Sequence, residues 1–490
     1  METKLGEGAT TQNSTFMDDI DVEGLLSEDS SAADTEDPTS QAITPSELKF
    51  LEENGFIMSL PAEVSTTTFC ILTTKLFSTL KQNRIIQSST PSATVFFNNL
   101  KNATISSTLT IPLSTDSAAA LEWCGYRART ASTIYQNWLD SGSQCPCNLL
   151  SFACDHLSLL SSTRFQGRYT REQQLDRLGL NLQTIDALLD KRYRDICGTQ
   201  SLAFWVEDTL RANYHALEQK IRALKAYVAA ASKDKVIANG EKVTFDRICG
   251  NYLLPRDHIK FQDPAPVLED HVMLWTGRSP YSSRDENFTW REFVGEGGKI
   301  NMNFLESPKV RGDFNKHGSA YYFTPEKETA EKFRQYAAHR CPRAETWLIG
   351  FQASKKFVKR LTHTNLRYGD KFKDYVWHCR NTCGAFMSVR HKAISEKQLI
   401  TGPICTTTSH YMWKTREACG KSRLGDCNLV YLGEKKVEER ISTTGERSGF
   451  TNERKQATQW AFINQWGKSG GRRLEHEIRG KIHIEITSAF

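Results

Sequence analysis

The most regular apolar pattern lies in the middle of the chain. Leu210, Tyr214, Leu217, Ile221, Leu224 and Val228 recur at alternating spacings of four and three, which gathers them on one face of an α-helix. The pattern predicts a long amphipathic helix covering a neighbouring layer, with Asn213 and His215 off the stripe. Near the C-terminus the period changes. Ile482, Ile484 and Ile486 alternate with other residues, as a half-buried strand requires. Between these two signals come short apolar runs with strand-like content: Val272–Trp275, Ala320–Thr324, Thr346–Gln352, Phe357–Leu361, Tyr375–Cys379, Gln398–Ile404 and Leu429–Leu432. Many short strands, few helices and no βαβ repeat predict an α+β domain with a mixed or split antiparallel sheet over residues 263–490.

The preceding text reads differently. Residues 116–262 are mainly helical: one helix over Asp116–Asp140, a short one over Leu149–Leu160, and two around Gly179 between Thr170 and Cys197. Residues 46–115 hold strand-like Ala93–Phe97 and a run ending at Ile111. Phe69–Leu80 fits either a strand or a short buried helix. This region is a small α+β or partly ordered segment. Residues 1–45 are acidic, rich in Ser and Thr and poor in aromatics, a composition that predicts disorder.

Charge sharpens the picture. The chain carries +6 in total, yet its first 50 residues hold twelve acidic side chains against two lysines, so the remainder is distinctly basic and an anionic partner gains weight. Arg127, Arg129, Arg164, Arg168, Arg171, Lys191, Arg192, Arg194, Lys220, Arg222 and Lys225 fall in the helical part. They form either a solvated face or a phosphate-binding one, and nucleotide or charged tRNA binding would require them to converge. Thirteen cysteines, an odd number, and a start without a signal-peptide pattern predict free thiols in a reducing, cytoplasmic setting. The sequence contains no apolar run of about 18 residues, so no membrane span is expected. Neither G-x-G-x-x-G after a strand nor G-x-x-x-x-G-K-[ST] is present, which disfavours Rossmann and P-loop readings. Cysteine and histidine spacings give no support to a metal site. Cys379, next to His378 and near His391, is a weak thiol-nucleophile candidate because adjacent residues on a strand point apart.

One stretch carries most of the candidate chemistry. Leu274-Trp275-Thr276-Gly277-Arg278 ends a strand. Gly318-Ser319-Ala320-Tyr321-Tyr322-Phe323-Thr324 forms a second, followed by Pro325, Glu326 and Glu328 at a helix start. Leu399–Ile404 and the glutamine-bearing Gln456–Phe462 come later. In order and spacing these segments, residues 272–462, resemble the ADP-ribosyltransferase-like fold, in particular an uncharacterised branch found in bacteria and fungi, in which Tyr375-Val376-Trp377 and Arg380 would correspond to a helix before the last sheet segment. Thr276 stands where that family carries histidine or arginine, Arg278 lies two residues on, and Ala320 replaces a glycine.

The resemblance implies a transferase acting at the nicotinamide ribose of NAD. Thr276, Gly277, Arg278, Gly318, Tyr321, Tyr322 and Gln456 would line the cofactor pocket. Glu453, Tyr322 and Asp374 are the candidate catalytic residues, with Glu475 and Glu477 as later acids. The family's E-x-E or Q-x-E does not appear at the expected place, and Gln456 and Gln459 are neutral. In length, charge and general character the chain is also similar to fungal arginine-containing cyclodipeptide synthases. That likeness implies a cofactor-free enzyme that draws aminoacyl groups from charged tRNA, with an acid gripping the arginine guanidinium. A catalytically inactive binding module is the third expectation.

Overall fold

Capping chemistry sets the helix starts. Thr44 accepts from the Glu47 amide and donates its own amide to the Glu47 carboxylate, closing a capping box on α1 (Pro45–Glu53). The helix expected over Asp116–Asp140 is two: α2 (Ala118–Cys124) and α3 (Ala128–Ser141). Gly125 breaks it with φ of +132°, a conformation that favours glycine. The break turns the backbone so that Arg127 donates to the Gly179 carbonyl and Gly125 accepts from Asn181. Apolar periodicity runs across both helices, so it could not show the interruption. Next come α4 (Leu149–Asp155), α5 (Arg171–Leu178), α6 (Leu182–Leu189), α7 (Arg194–Cys197) and the long α8 (Leu202–Ile237).

This computed structural model describes residues 42–55, 57–58, 69–73, 93–97, 108–142, 147–157, 160, 169–237, 259–261, 267–280, 293, 300–306, 312–316, 318–380, 388–406, 424–425, 428–432, 455–465, 468–479 and 481–487. The expected acidic tail up to residue 41, most of Phe69–Leu80 and Glu453 lie outside them. The described residues belong to one compact unit, Gln41–Phe490.

The whole apolar stripe of α8, from Leu210 to Val228, is buried. Asn213 and His215, expected off the stripe, are buried as well. Asn213 donates to the Cys124 carbonyl, and His215 meets Glu218 at 3.1 Å. The middle of α8 is therefore covered on more than one side.

The mixed helix and sheet content makes this an α+β fold, with three sheets among the described residues. The smallest pairs β1 (Ile57–Met58), β2 (Phe69–Thr73) and β4 (Thr108–Pro112). A five-stranded sheet contains β3 (Ala93–Phe97), β5 (Ile259–Phe261), β6 (His271–Arg278), β8 (Thr346–Ser354) and β13 (Ile482–Thr487), in the order β5-β3-β13-β8-β6. The other joins β9 (His363–Asn365), β10 (Leu399–Pro403), β11 (Thr458–Gln465) and β12 (Lys468–Ser469), with β7 (Ser319–Phe323) antiparallel on β11. The two large sheets meet where Trp275 and Thr324 exchange backbone hydrogen bonds of 2.7 and 2.9 Å. Sheet pairing also crosses the boundaries drawn from composition. β3 comes from the 46–115 region and runs parallel to β13, with Val95 opposite Ile484, while β5 comes from the 116–262 region and pairs with β3.

Two apolar runs read as strands are helical instead. Phe357–Leu361 falls on α10 (Lys355–Arg360), where the Ser354 side chain caps the Phe357 amide. Tyr375–Cys379 falls on α11 (Asp370–Arg380), which opens on an acid, ends on His378 and Arg380, and buries Phe372, Tyr375, Val376 and Cys379. Short apolar runs fit both periods, and here the caps decide. α12 (Val389–Ser395) and α13 (Gly470–Ile478) add to the helical content. Leu429–Leu432 makes only isolated bridges, to Cys405 and Gln456. The expectation of free thiols holds for Cys124, Cys154, Cys197, Cys341, Cys379 and Cys405, whereas Cys147 is disulfide-bonded. Among the described residues no helix is long and apolar enough to cross a membrane.

The element that positions the site is α9 (Lys327–Arg340). One side lies on β6, with Ala330 clustered with Trp275 and Leu348. The other side faces the helical layer, where Tyr336 donates to the Leu188 carbonyl at 3.0 Å. Contact with β6 is close because position 277 has no side chain. A Cβ there would run into the Ala330 carbonyl oxygen and lie 2.8 Å from the Arg334 nitrogen. Backbone on that side cannot yield as a flexible side chain would. Gly277→Ala is therefore expected to destabilise the protein by about 1–3 kcal/mol, read as a lower midpoint in urea with an unchanged slope.

Candidate functional site

β6, β7, α8 and α9 enclose a cavity of about 730 Å³, a size suited to a cofactor or a small substrate. Its wall is partly aromatic, with Phe204 and Trp205 from α8, Trp275 from β6 and Phe333 from α9. Tyr322, at the end of β7, closes another side.

Two buried ion pairs brace this cavity. Arg340, at the end of α9, reaches α8 and donates to Asp208 at 2.6 Å, to the Thr209 hydroxyl at 2.6 Å and to the Trp205 carbonyl at 3.2 Å. Its guanidinium carbon lies 4.6 Å from the ring centres of both Trp205 and Tyr336. On the far wall Arg380 pairs with Asp313 at 2.5 Å and donates to the carbonyls of Thr199 and Cys405. Asp313 also accepts from the Cys405 amide and from the Gln459 side chain, which donates in addition to the Pro403 carbonyl. One carboxylate thus ties together the loop before β7, the end of α11, the residues after β10 and the start of β11.

Arg278 is held differently. It ends β6, is half-buried and opens on the cavity. Its Nη1 donates to the Phe304 carbonyl at 2.7 Å, and the guanidinium carbon sits 5.1 Å from the Phe304 ring centre. Nε is buried with no hydrogen-bond partner. No carboxylate among the described residues pairs with it. Burial lowers its pKa and the more distant charge of Asp208 opposes that shift, but a guanidinium stays protonated. Arg278 thus brings a half-buried guanidinium, with one buried donor unpartnered, to the cavity wall.

No protein-family model, curated protein or solved structure matches this chain. The functional reading rests on this geometry.

Of the residues expected in a cofactor pocket, Thr276, Gly277, Arg278 and Tyr322 line the cavity together. Gly318, Tyr321 and Gln456 do not. Gly318 is a turn residue whose carbonyl accepts from Asn315. Tyr321 alternates with Tyr322 along β7 and packs into the opposite core with Phe304 and Trp347. Gln456 bridges Tyr431 through its backbone. Of the two glutamines in the Gln456–Phe462 segment, Gln459 reaches the cavity.

Of the expected catalytic residues, Tyr322 and Asp374 are not brought together. Tyr322 faces the cavity, but its hydroxyl donates to Asn315 at 2.7 Å and accepts from the Phe314 amide at 2.9 Å. Burial, reinforced by the charge of Asp313, pushes this phenol well above its ordinary pKa. It is a fixed wall rather than a proton carrier near neutral pH. Asp374 lies off the cavity and pairs with His391 at 2.7 Å. Glu453 is outside the described residues. Glu477 accepts from the Ser354 amide and from Lys481, so it fastens α13 to β8. Cys379 is a core thiol whose pKa burial raises far above neutrality, which removes it as a nucleophile.

The carboxylates that do line the cavity are Glu207, Asp208, Glu306 and Asp313, none of them singled out by the sequence. Glu207 pairs with Arg211 at 3.0 Å. The helical phase of Glu207 and Asp208 could have placed them near one another. Glu306 and Asp313 lie in stretches with no periodicity to orient them.

The Asp313 pair gives a stability test. Asp313→Ala leaves Arg380 buried and uncompensated, and is expected to cost about 3–5 kcal/mol, measured by chemical denaturation. An Asp313→Ala/Arg380→Met double substitution should recover much of that loss.

Proposed function

We propose that the chain is a transferase of the ADP-ribosyltransferase-like class, acting on an anionic, NAD-like substrate in the cavity between α8, α9, β6 and β7. The observation that carries this reading is Arg278. Its guanidinium lines the cavity with Nε unpartnered and no carboxylate among the described residues paired to it, while the Phe304 carbonyl holds Nη1, so a phosphate is the partner it would accept. A second observation supports the class. The two stretches that bear the family resemblance, Leu274–Arg278 and Gly318–Thr324, are hydrogen-bonded to each other at Trp275 and Thr324, where two large sheets meet. Phe204 and Phe333 offer aromatic faces for a flat ring, and Thr276 adds a hydroxyl.

In the proposed reaction the bond between nicotinamide and ribose breaks, nicotinamide departs with the electron pair, and an acceptor oxygen or nitrogen forms the new bond at the same carbon and gives up its proton to solvent. Arg278 holds the phosphate, the aromatic wall orients the ring, and Asp313 keeps the far wall rigid through Arg380 and Gln459.

The helical basic residues lend less support to the reading as a tRNA-dependent arginine-containing cyclodipeptide synthase. Arg127 pairs with Asp176, Arg192 with Asp190 and Arg222 with Glu218, while Lys220 donates to the Arg343 carbonyl. These four charges are engaged with acids and carbonyls of the chain itself.

Incubation with NAD is expected to release nicotinamide. Arg278→Met should weaken ADP-ribose binding by about tenfold to a hundredfold, the value of a charge-assisted hydrogen bond. It should leave the thermal midpoint unchanged or raised, because a desolvated cation is removed. Absence of both nicotinamide release and ADP-ribose binding would refute the proposal. An arginine-containing cyclic dipeptide formed only with charged tRNA would replace it with the synthase reading, and neither product would leave a binding module.

A further inference from the structure

The described residues that line the cavity include four guanidinium groups and four carboxylates. Three of each are matched: Arg211 with Glu207, Arg340 with Asp208 and Arg380 with Asp313. Arg278 and Glu306 are left over. Glu306 follows the 3-10 turn Met302–Leu305, which contains the Phe304 carbonyl that Arg278 grips. Its backbone bridges Tyr321, which fixes its position against β7. Its side chain is half-buried and makes no hydrogen bond or ion pair among the described residues. The two unmatched charges have opposite signs and line one cavity, yet they do not pair with each other.

Lining charges that pair within the wall need nothing from a ligand. Two that line one cavity without pairing are left for a ligand to meet, and a ligand satisfies both only if it carries both signs. A plain polyanion would meet Arg278 but be repelled by Glu306, and a plain cation would meet the reverse.

We propose that the cavity selects a bipolar ligand, with Arg278 receiving its anionic group and Glu306 its cationic one. This inference deepens the transferase reading, in which the anion is a phosphate and the cation a pyridinium ring. It also stands apart from that reading, because a guanidinium or ammonium carboxylate has the same two poles. Glu306 is then the specificity-determining residue: it separates ligands that share an anion and differ only in positive charge.

The test uses two matched pairs of probes on the full chain, by calorimetry. NAD and NADH share the pyrophosphate and differ in the ring's positive charge. L-arginine and agmatine share the guanidinium and differ in the carboxylate. If the site is a dinucleotide site, the wild type should bind NAD at least tenfold more tightly than NADH. Glu306→Gln should remove that preference, and Arg278→Met should weaken both dinucleotides alike. If neither dinucleotide binds, the transferase reading fails, and the second pair decides the bipolar inference on its own. L-arginine should then bind at least tenfold more tightly than agmatine, with Arg278→Met erasing the difference and Glu306→Gln weakening both. Equal binding within each pair, binding of none of the four, or a preference that survives Glu306→Gln and Arg278→Met would overturn it. Glu306→Gln is nearly isosteric at a half-buried position, and an unchanged melting curve checks that the loss is not one of folding.

Discussion

A helix packed on both sides must satisfy two neighbours at once, and α9 works under that constraint. Its side toward β6 approaches so closely that position 277 tolerates no side chain, while its opposite side places Tyr336 and Arg340 among the residues of α6 and α8. The cavity exists because these two contacts fix the distance between the first sheet and the helical layer. Moving α9 toward the sheet is blocked by backbone. Moving it toward α8 would compress Arg340 between Trp205 and Tyr336. The space left over is bounded by rigid elements, which is the condition for a site that is formed before its ligand arrives.

The same frame explains which charges can do chemistry. Arg340 and Arg380 are buried, but each is surrounded by a carboxylate and backbone carbonyls, so their role is to hold elements together. A buried pair of this kind adds little net stability, but its loss is costly, since the survivor is stranded. Arg278 is the exception: a carbonyl and an aromatic ring satisfy only part of its guanidinium. A residue kept in this state stabilises the fold less than an apolar residue of similar volume would. Such a cost is typical of a group retained for binding.

The strands were legible wherever β-branched and aromatic residues were bounded by turn residues, and β6, β7, β8, β10 and β13 all fall on expected runs. The stripe of α8 was legible for the same reason. What periodicity could not carry was interruption and phase. Gly125 splits a helix whose apolar spacing continues on both sides, and only its positive φ and the bonds to Gly179 and Asn181 reveal the break. Phe357–Leu361 and Tyr375–Cys379 look equally apolar as strand or helix. The capping Ser354, and the acid-first, base-last order of Asp370 to Arg380, were the signals that separate the two. The pairing of β3 with β13 joins residues nearly 400 apart in the chain, and no local pattern encodes it.

For the site, legibility divided along the same line. Thr276, Gly277, Arg278 and Tyr322 lie on strand ends, so period-two alternation plus a shared terminus places them together, and the same alternation sends Tyr321 to the opposite core. Glu306 and Asp313 sit between strands, where side-chain direction depends on tertiary contacts rather than on phase. Asp313 acquires its direction from Arg380, Gln459 and the Cys405 amide, three partners from three distant parts of the chain. Spacing from a glutamine does not find such acids, because they lie in segments without periodicity. The acids of this cavity are defined by the cations that face them. Once the matched pairs are set aside, the residue of interest is the one whose partner the fold does not supply.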